Sequence, residues 1–482
     1  MDSPPLTIRN LTATPIELKL IERFNAPGTG IAKITKNFTT LIQSPKGPET
    51  PSNAQLAANA ESFNHQDVSV RIDAFKTTVT DIKVTEKSAN EILRLTFENE
   101  GERYRIDTPT PTYGSATLTP LTPNPRFQYT AIYHPEHSHL SLFSSANLNS
   151  WMSELKDETP LSALSIPGTH NSPTHHRALP SVRCQAVSPR VQLENGVRFF
   201  DIRVQVEKPE DLSKDGLILV HAVFPISLTG TKYFRDLVNH VFEFLDQNPS
   251  ETVILSVKRE GTGNGTDAQL GRILRDHYAG DVNRWFTAPH IPTLGEARHK
   301  IVLIRRFGLE DGLKGEWDGA GWCINAETWA DNTPNDTCPS GDICVQDFYE
   351  VLETENIDKK IEFSRAQLER AAQCTCVLPG MNIQEAGSPP PKQPFFINFL
   401  SASNFWKAGC WPEKIAAKVN PEIVDYLCRK HNATEGPDAR EQVGDGSTGI
   451  VVCDWVGNNG NWDLVRCIVG MNAKLEMREK TL

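Results

Sequence analysis

Along the first 145 residues, apolar and polar side chains alternate in short bursts: Leu6-Thr-Ile-Arg-Asn-Leu, Ile16-Glu-Leu-Lys-Leu-Ile, Val68-Ser-Val-Arg-Ile, Leu93-Arg-Leu-Thr-Phe, Tyr104-Arg-Ile and Tyr129-Thr-Ala-Ile-Tyr. A period of two places the apolar side chains on one face of an extended chain, so each burst predicts a strand with one wet face. Pro- and Thr-rich breaks such as Thr108-Pro-Thr-Pro-Thr separate the bursts, and no amphipathic helix of useful length interrupts them. A small all-β sandwich over residues 1–145 is expected.

From Leu161 the pattern changes to solid apolar runs followed by helical spacing, the signature of βα units around a mostly parallel sheet. The clearest helix follows Thr231: Phe234, Leu237, Val238, Val241, Phe242 and Leu245 share one face, and the pattern ends before Asn248-Pro-Ser. Eight buried strands are predicted, and each delivers a polar side chain at its end. Leu164-Ser-Ile-Pro-Gly-Thr reaches His170, Val197-Arg-Phe-Phe-Asp-Ile reaches Arg203, Leu217-Ile-Leu-Val reaches His221, and Val253-Ile-Leu-Ser-Val reaches Lys258. Ile301-Val-Leu-Ile leads to Arg305 and Arg306, Ile343-Cys-Val-Gln to Asp347, Phe395-Phe-Ile-Asn-Phe to Ser401, and Ile450-Val-Val-Cys to Asp454. In an α/β (β/α)8 TIM-type barrel such positions meet at the carboxyl end of the strands, where the active site of that fold sits. About ten residues, Glu207 to Gly216, separate the second and third strands, too few for a crossover helix, so the barrel expected over residues 150–475 is distorted or incomplete.

Composition supports a boundary near Ser144 to Trp151: all ten Cys and all nine Trp of the 482-residue chain lie beyond it. No run approaches the roughly 18 apolar residues of a membrane span, so no transmembrane segment is expected. The net charge of −11 and the absence of a Lys/Arg run argue against a nucleic-acid partner. The start, MDSPPLTIRNL, has neither a basic nor an apolar signal region, which predicts a cytoplasmic or peripheral membrane location, with export left open by the even cysteine count. Cys374-x-Cys376 is one residue short of the usual metal clip and no His pair accompanies it, so no zinc site is expected there; Gly387-Ser-Pro-Pro-Pro-Lys reads as a loop. No sequence signal speaks to oligomeric state.

The predicted rim carries two imidazoles, which near neutral pH can act one as base and one as acid. It also carries guanidinium and ammonium groups that suit a phosphate, and Asp454, which would accept the second N–H of one imidazole. No Ser or Cys occupies a nucleophile elbow. Acid–base cleavage of a phosphodiester fits this set best.

The run Ile166-Pro-Gly-Thr-His-Asn-Ser, then Asp201-Ile-Arg203 and Val220-His221, resembles the X-type catalytic domain of bacterial phosphatidylinositol-specific phospholipases C, within the phospholipase C-like phosphodiesterase superfamily. Thr252-Val-Ile-Leu-Ser-Val-Lys-Arg-Glu, Lys300-Ile-Val-Leu-Ile-Arg-Arg, Val345-Gln-Asp and Asn420-Pro-Glu-Ile continue it in order, over about residues 160–470. The resemblance implies cleavage of phosphatidylinositol, or a glycosylated relative, at a membrane surface to diacylglycerol and inositol 1,2-cyclic phosphate. It makes His170 the base, Asp454 its partner, His221 the acid, and Arg203, beside Asp201, the stabiliser of phosphorane-like charge. Lys258, Arg306, Asp347 and Tyr349 match inositol-contacting positions. It implies no metal and no cofactor, because Arg203 stands where the calcium-dependent relatives carry acidic ligands. The family pattern has an aspartate assisting the acid where this chain has Asn171, which puts leaving-group protonation in question. Tolerance of extra ring phosphates would depend on how closely Lys258, Arg305 and Arg306 pack, which spacing alone does not decide.

Two other readings stand beside this one: a glycerophosphodiester or sphingolipid phosphodiesterase, which normally needs acidic metal ligands at the Arg203 position, and a non-catalytic inositol-lipid-binding scaffold, for which Asn171 would be the first sign of decay. Phe405 and Trp406 are expected to pack in the core, with insertion into a bilayer interface as the alternative.

Overall fold

The chain divides into two compact units, one made of Met1–Ser145 with Cys428–Gln442, the other of Ala146–Leu427 with Val443–Leu482. The computed structural model describes residues 4–25, 56, 60–84, 91–108, 114–375, 393–433 and 444–475. The loop expected at 387–392 and residue Cys376 lie outside them.

In the first unit, every alternating burst read from the sequence lies in a strand. One five-stranded sheet runs Thr77–Lys83, Pro5–Leu11, His139–Ser144, Tyr129–His134, Ser115–Thr117; the other runs Asn64–Ile72, Ile16–Asn25, Glu91–Asn99, Glu102–Thr108, Thr119–Pro120. Leu6, Ile8, Leu140 and Leu142 of the first sheet and Leu18, Leu95, Phe97 and Tyr104 of the second bury one shared core. Pro5–Leu11 pairs in parallel with His139–Ser144, closing the unit's first strand on its last. The return of Cys428–Gln442 to this unit interrupts the contiguous span 150–475 that the sequence suggested. Arg9, 1 % exposed, anchors it by donating to the carbonyls of Cys428 (3.0 Å) and His431 (2.6 Å).

The second unit is built on one large sheet. Its main path runs Trp285–Phe286, Ile301–Arg306, Val253–Arg259, Phe199–Val206, Ile166–Thr169, Ile450–Cys453, Phe395–Phe399, Ile343–Gln346 and Asp336–Thr337. The pairs along it are parallel except the last. Helices cover parallel strands, which is why these segments read as unbroken apolar runs rather than alternation. The third predicted strand differs. Leu217–His221 pairs antiparallel with Phe199–Val206 as a hairpin, which is what so short a connection permits. Among the described residues the two ends of the path do not pair with each other.

Phe234–Gln247 is helical and ends at Asn248, as its apolar spacing predicts. It buries Phe244 more fully than Phe242, whose ring packs against Trp285 at 6.0 Å. A buried ion pair lies where the strands Phe199–Val206 and Val253–Arg259 begin. Arg198 and Glu251, both 0 % exposed, pair at 2.8 Å, and Arg198 also donates to the carbonyls of Leu148, Asn149, Leu193 and Val197. No helix among the described residues is long and apolar enough to cross a membrane.

Candidate active site

Parallel pairing brings the carboxyl ends of neighbouring strands to one edge, and the register decides which side chains meet there. Arg203 lies opposite Lys258, and Lys258 opposite Arg306, so three cations sit in a row on three adjacent strands. Arg305, one residue earlier, faces the other way because side chains alternate along a strand. It donates to the Trp322 and Phe307 carbonyls and pairs with Glu327 at 2.8 Å, so it does not join Lys258 and Arg306 as the sequence suggested.

His170 follows Ile166–Thr169 directly, and Asp454 follows the adjacent Ile450–Cys453. That adjacency places His170 Nδ1 3.0 Å from Asp454 Oδ1. His221, at the end of the hairpin, brings its ring centroid to 5.6 Å from that of His170, edge to face. Its Nδ1 lies 2.9 Å from the Val182 carbonyl, which can only accept, so Nδ1 carries the proton and Nε2 is the free nitrogen. Each of these three residues is followed by a non-glycine in the left-handed region: Asn171 (φ 38°), Ala222 (φ 51°) and Trp455 (φ 53°). Such backbone costs of order 1–3 kcal/mol per residue, and it turns the chain away just after the side chain the sheet edge presents.

Asp201 is fully buried and organises the cations. It takes Arg203 Nε and Nη2 at 2.9–3.1 Å, Arg306 Nη1 at 3.4 Å and the Asn171 backbone N–H at 3.1 Å; His170 Nε2 is 4.0 Å away. Burial opposes charge on Asp201, but Arg203 and Arg306 hold it ionised well below the usual carboxylate range. Glu260 takes the other side of Arg203 at 2.5 Å, pairs with Lys258 at 3.4 Å and accepts the Ala222 N–H at 2.8 Å. Burial would raise its pKa, yet Arg203 and Lys258 bring it down to about 2. The Arg203 guanidinium thus sits between two carboxylates. Burial and its cationic neighbours push Arg306 down to about 10 and lower Lys258. Burial also disfavours a charged His170, but the Asp454 carboxylate overrides it and raises the pKa well above 6.5.

The remaining predicted residues divide. Asp347 is buried beside Arg306, 3.8 Å from its Nη2, and accepts Trp329 Nε1 at 3.0 Å. Tyr349 turns its hydroxyl to Asp331 at 2.9 Å and makes no bond to the other predicted site residues. Asn171 does not reach the His221 ring. Its amide lies 3.4 Å from the Val220 carbonyl, and its Oδ1 is buried without a partner. Phe405 and Trp406 are not core residues: Trp406 is 89 % exposed, Phe405 stacks on Phe224 at 5.4 Å, and Val223 is 57 % exposed beside them.

Sequence reasoning missed several members. Glu260 has no role assigned from the sequence, although its place two residues after Lys258, just past the strand Val253–Arg259, is a usable signal. Trp329 stacks on Arg306 at 3.8 Å, Gln185 donates to the His170 carbonyl at 2.7 Å, and Asn420 donates to the Asp454 carbonyl at 3.0 Å. The Cys184 thiol lies 3.6 Å from His221 Nδ1. None of these three contacts besides that of Asn420, which lies in a quoted motif, had a local signal.

Residues 158–307 match the family model for the phosphatidylinositol-specific phospholipase C X domain. The chain is 27% identical over 319 residues to a 1-phosphatidylinositol phosphodiesterase of Staphylococcus aureus (strain Newman), covering 63% of this chain and 90% of that protein. A protein of the same name from Listeria monocytogenes is 32% identical over 192 residues, covering 35% of this chain and 56% of its own. A solved structure of a double mutant of the S. aureus phosphatidylinositol-specific phospholipase C aligns with a TM-score of 0.51 at 25% identity, over 67% of this chain and 97% of that one.

Proposed function

We propose, from the match of residues 158–307 to the phosphatidylinositol-specific phospholipase C X-domain model, that the chain cleaves phosphatidylinositol, or a glycosylated relative, to diacylglycerol and inositol 1,2-cyclic phosphate. The observation that carries this reading is the pairing of two imidazoles across one edge: His170 rests on Asp454 at 3.0 Å, and His221, 5.6 Å away ring to ring, has a free Nε2.

In this reaction His170 takes the proton of the inositol 2-hydroxyl as that oxygen bonds to phosphorus. His221, starting as imidazolium with its Nδ1–H on the Val182 carbonyl, gives its Nε2 proton to the glycerol oxygen as the bond from phosphorus to that oxygen breaks, and is left neutral. Because the nucleophile belongs to the substrate, no diffusing water is needed in this step. Asp454 stabilises the imidazolium formed on His170 and fixes its orientation. Arg203, held on both sides by Asp201 and Glu260, offers its charge to the equatorial phosphate oxygens without having to reorganise. Lys258, Arg306 and Asp347 would contact the inositol hydroxyls; Tyr349 is the weakest of the proposed contacts, given its bond to Asp331.

Two features bear on the rival readings. The position between Asp201 and Glu260 is filled by a guanidinium, which favours a metal-independent phosphodiester reaction over one that needs acidic metal ligands. Asn171 bonds toward the Val220 carbonyl rather than the acid, so the argument from it for a decayed, purely binding site is weakened. The exposed aromatic cluster of Phe224, Phe405 and Trp406 beside the hairpin supports action at a lipid surface. We read the long sheet as an incomplete (β/α)8 barrel and the two five-stranded sheets as an accessory β-sandwich domain. Phosphorus NMR of the protein with phosphatidylinositol vesicles in excess chelator tests the reading. A cyclic phosphate that forms under chelation and is lost in His170→Ala supports it; product only with added calcium overturns the metal-independent mechanism, and none in either condition overturns the enzyme.

A further inference from the structure

Cys184 has no place in the reaction above, yet the fold puts its thiol between the two reacting imidazoles. One ligand atom each from His170, Cys184 and His221 lies within 4.8 Å of the others. The three come from separate segments, and the sulfur is held firmly. The Cys184 N–H donates to the Thr174 carbonyl (3.3 Å) and Oγ1 (3.1 Å), its carbonyl accepts the Trp455 N–H (2.8 Å), and its thiol lies 3.4 Å from the Val182 carbonyl and 3.6 Å from His221 Nδ1.

We propose that His170, Cys184 and His221 form an inhibitory binding site for a soft divalent cation of the zinc class. Two imidazoles and a thiolate are the donor set that zinc prefers over magnesium or calcium. Tetrahedral zinc with ligands at about 2.0–2.3 Å separates its donors by roughly 3.3–3.6 Å, so closing the site from its present spread takes a shift on the order of 1 Å. His170 already has the outer partner that a ligating imidazole ordinarily has, the Asp454 carboxylate on Nδ1; at His221 the thiol and the Val182 carbonyl both meet Nδ1, so that ring has to turn to present a nitrogen to the ion. Both histidines are partly exposed at the sheet edge, which gives the ion a way in; the sulfur is buried. A fourth position stays open for water or a phosphate oxygen. With the ion bound, neither ring can take or give the proton that cleavage requires. The inhibition rests on the acid–base reading; the ion's binding does not.

The test uses the full chain stripped of metal, with cobalt and zinc ions as probes. Cobalt is expected to give one equivalent of tetrahedral absorption with a thiolate-to-metal charge-transfer band that Cys184→Ser abolishes. Buffered free zinc, but not magnesium, is expected to suppress cyclic phosphate formation. In Cys184→Ser, normalised to its own rate in chelator, that suppression should need zinc higher by at least ~10-fold. No thiolate band in the unmodified chain overturns the site without recourse to any variant. A band that survives in Cys184→Ser overturns the assignment, and zinc that raises the rate overturns the inhibitory role. If the protein cleaves no phosphatidylinositol at all, the acid–base reading has failed, and the cobalt spectrum still decides the site.

Discussion

Replacing Asp454 by Asn removes one charge and leaves nearly the same shape, so it isolates what that charge does to His170. The carboxylate oxygen lies 3.0 Å from His170 Nδ1 and is buried, and it raises the imidazole pKa well above 6.5. At an effective dielectric of about 20, opposite charges near 4 Å attract by about 4 kcal/mol, on the order of 3 pKa units as an upper limit. Measured effects of a neighbouring opposite charge run at about 1–3 units. Asp201, 4.0 Å from His170 Nε2, stays in place and keeps part of the effect. The sign follows from the role: a base must be neutral to work, so a raised pKa delays activity until higher pH. In Asp454→Asn the acidic limb of kcat/KM should therefore move to lower pH by about 1–3 units. The plateau should fall by roughly 10²–10⁴-fold, because an amide can hold the ring in the wrong tautomer. The deficit of the variant should thus shrink as pH falls. Initial rates of cyclic phosphate formation across pH measure both quantities, and an acidic limb that stays where it was would refute the assignment of His170 as the base paired to Asp454.

Arg203→Lys keeps the charge but cannot span Asp201 and Glu260, so kcat should drop by roughly 10²–10³-fold with little change in KM; an effect on KM alone would move Arg203 from the transition state to substrate binding. Arg198→Ala leaves Glu251 buried and unpaired and should cost about 3–5 kcal/mol in denaturant unfolding, where a cost below about 1 would show that the pair contributes little. Burial pushes Lys360 down to about 7. The unfolded chain keeps that proton up to about pH 10.4, so stability should gain as pH rises between these values, and Lys360→Met should flatten the gain; an unchanged slope would place the ammonium in a better solvated setting. Trp406→Ala should weaken sedimentation with phosphatidylinositol vesicles while sparing turnover of a soluble substrate, and equal loss of both would point to a structural role.

Much of the site was legible because of how parallel sheets form. Strands buried on both faces must be apolar throughout, so a polar residue that ends such a run marks the sheet edge, and parallel pairing collects those ends in one place. His170, Arg203, Lys258, Arg306, Asp347 and Asp454 were readable on that ground; His221 ends a hairpin strand that pairs antiparallel, so its place at the same edge was set by the fold. Arg305 was grouped with Lys258 and Arg306 because a run of adjacent polar residues does not say which of them faces the site; the strand register does.

Local periodicity by itself determined the alternating strands of the first 145 residues, the apolar strands of the second unit, the helix at Phe234–Gln247, and the short connection that forces Leu217–His221 into a hairpin. Each is set by neighbours within a few residues, which sequence spacing records directly. Tertiary structure alone decided that Cys428–Gln442 returns to the first unit, that Glu260 shares Arg203 with Asp201, that Asn171 faces the Val220 carbonyl, and that Cys184 lies beside His221. Those contacts join residues far apart in the chain; of the left-handed turns that aim them, the one at Asn171 suits a residue type that takes this backbone readily, whereas those at Ala222 and Trp455 are held by the packing around them.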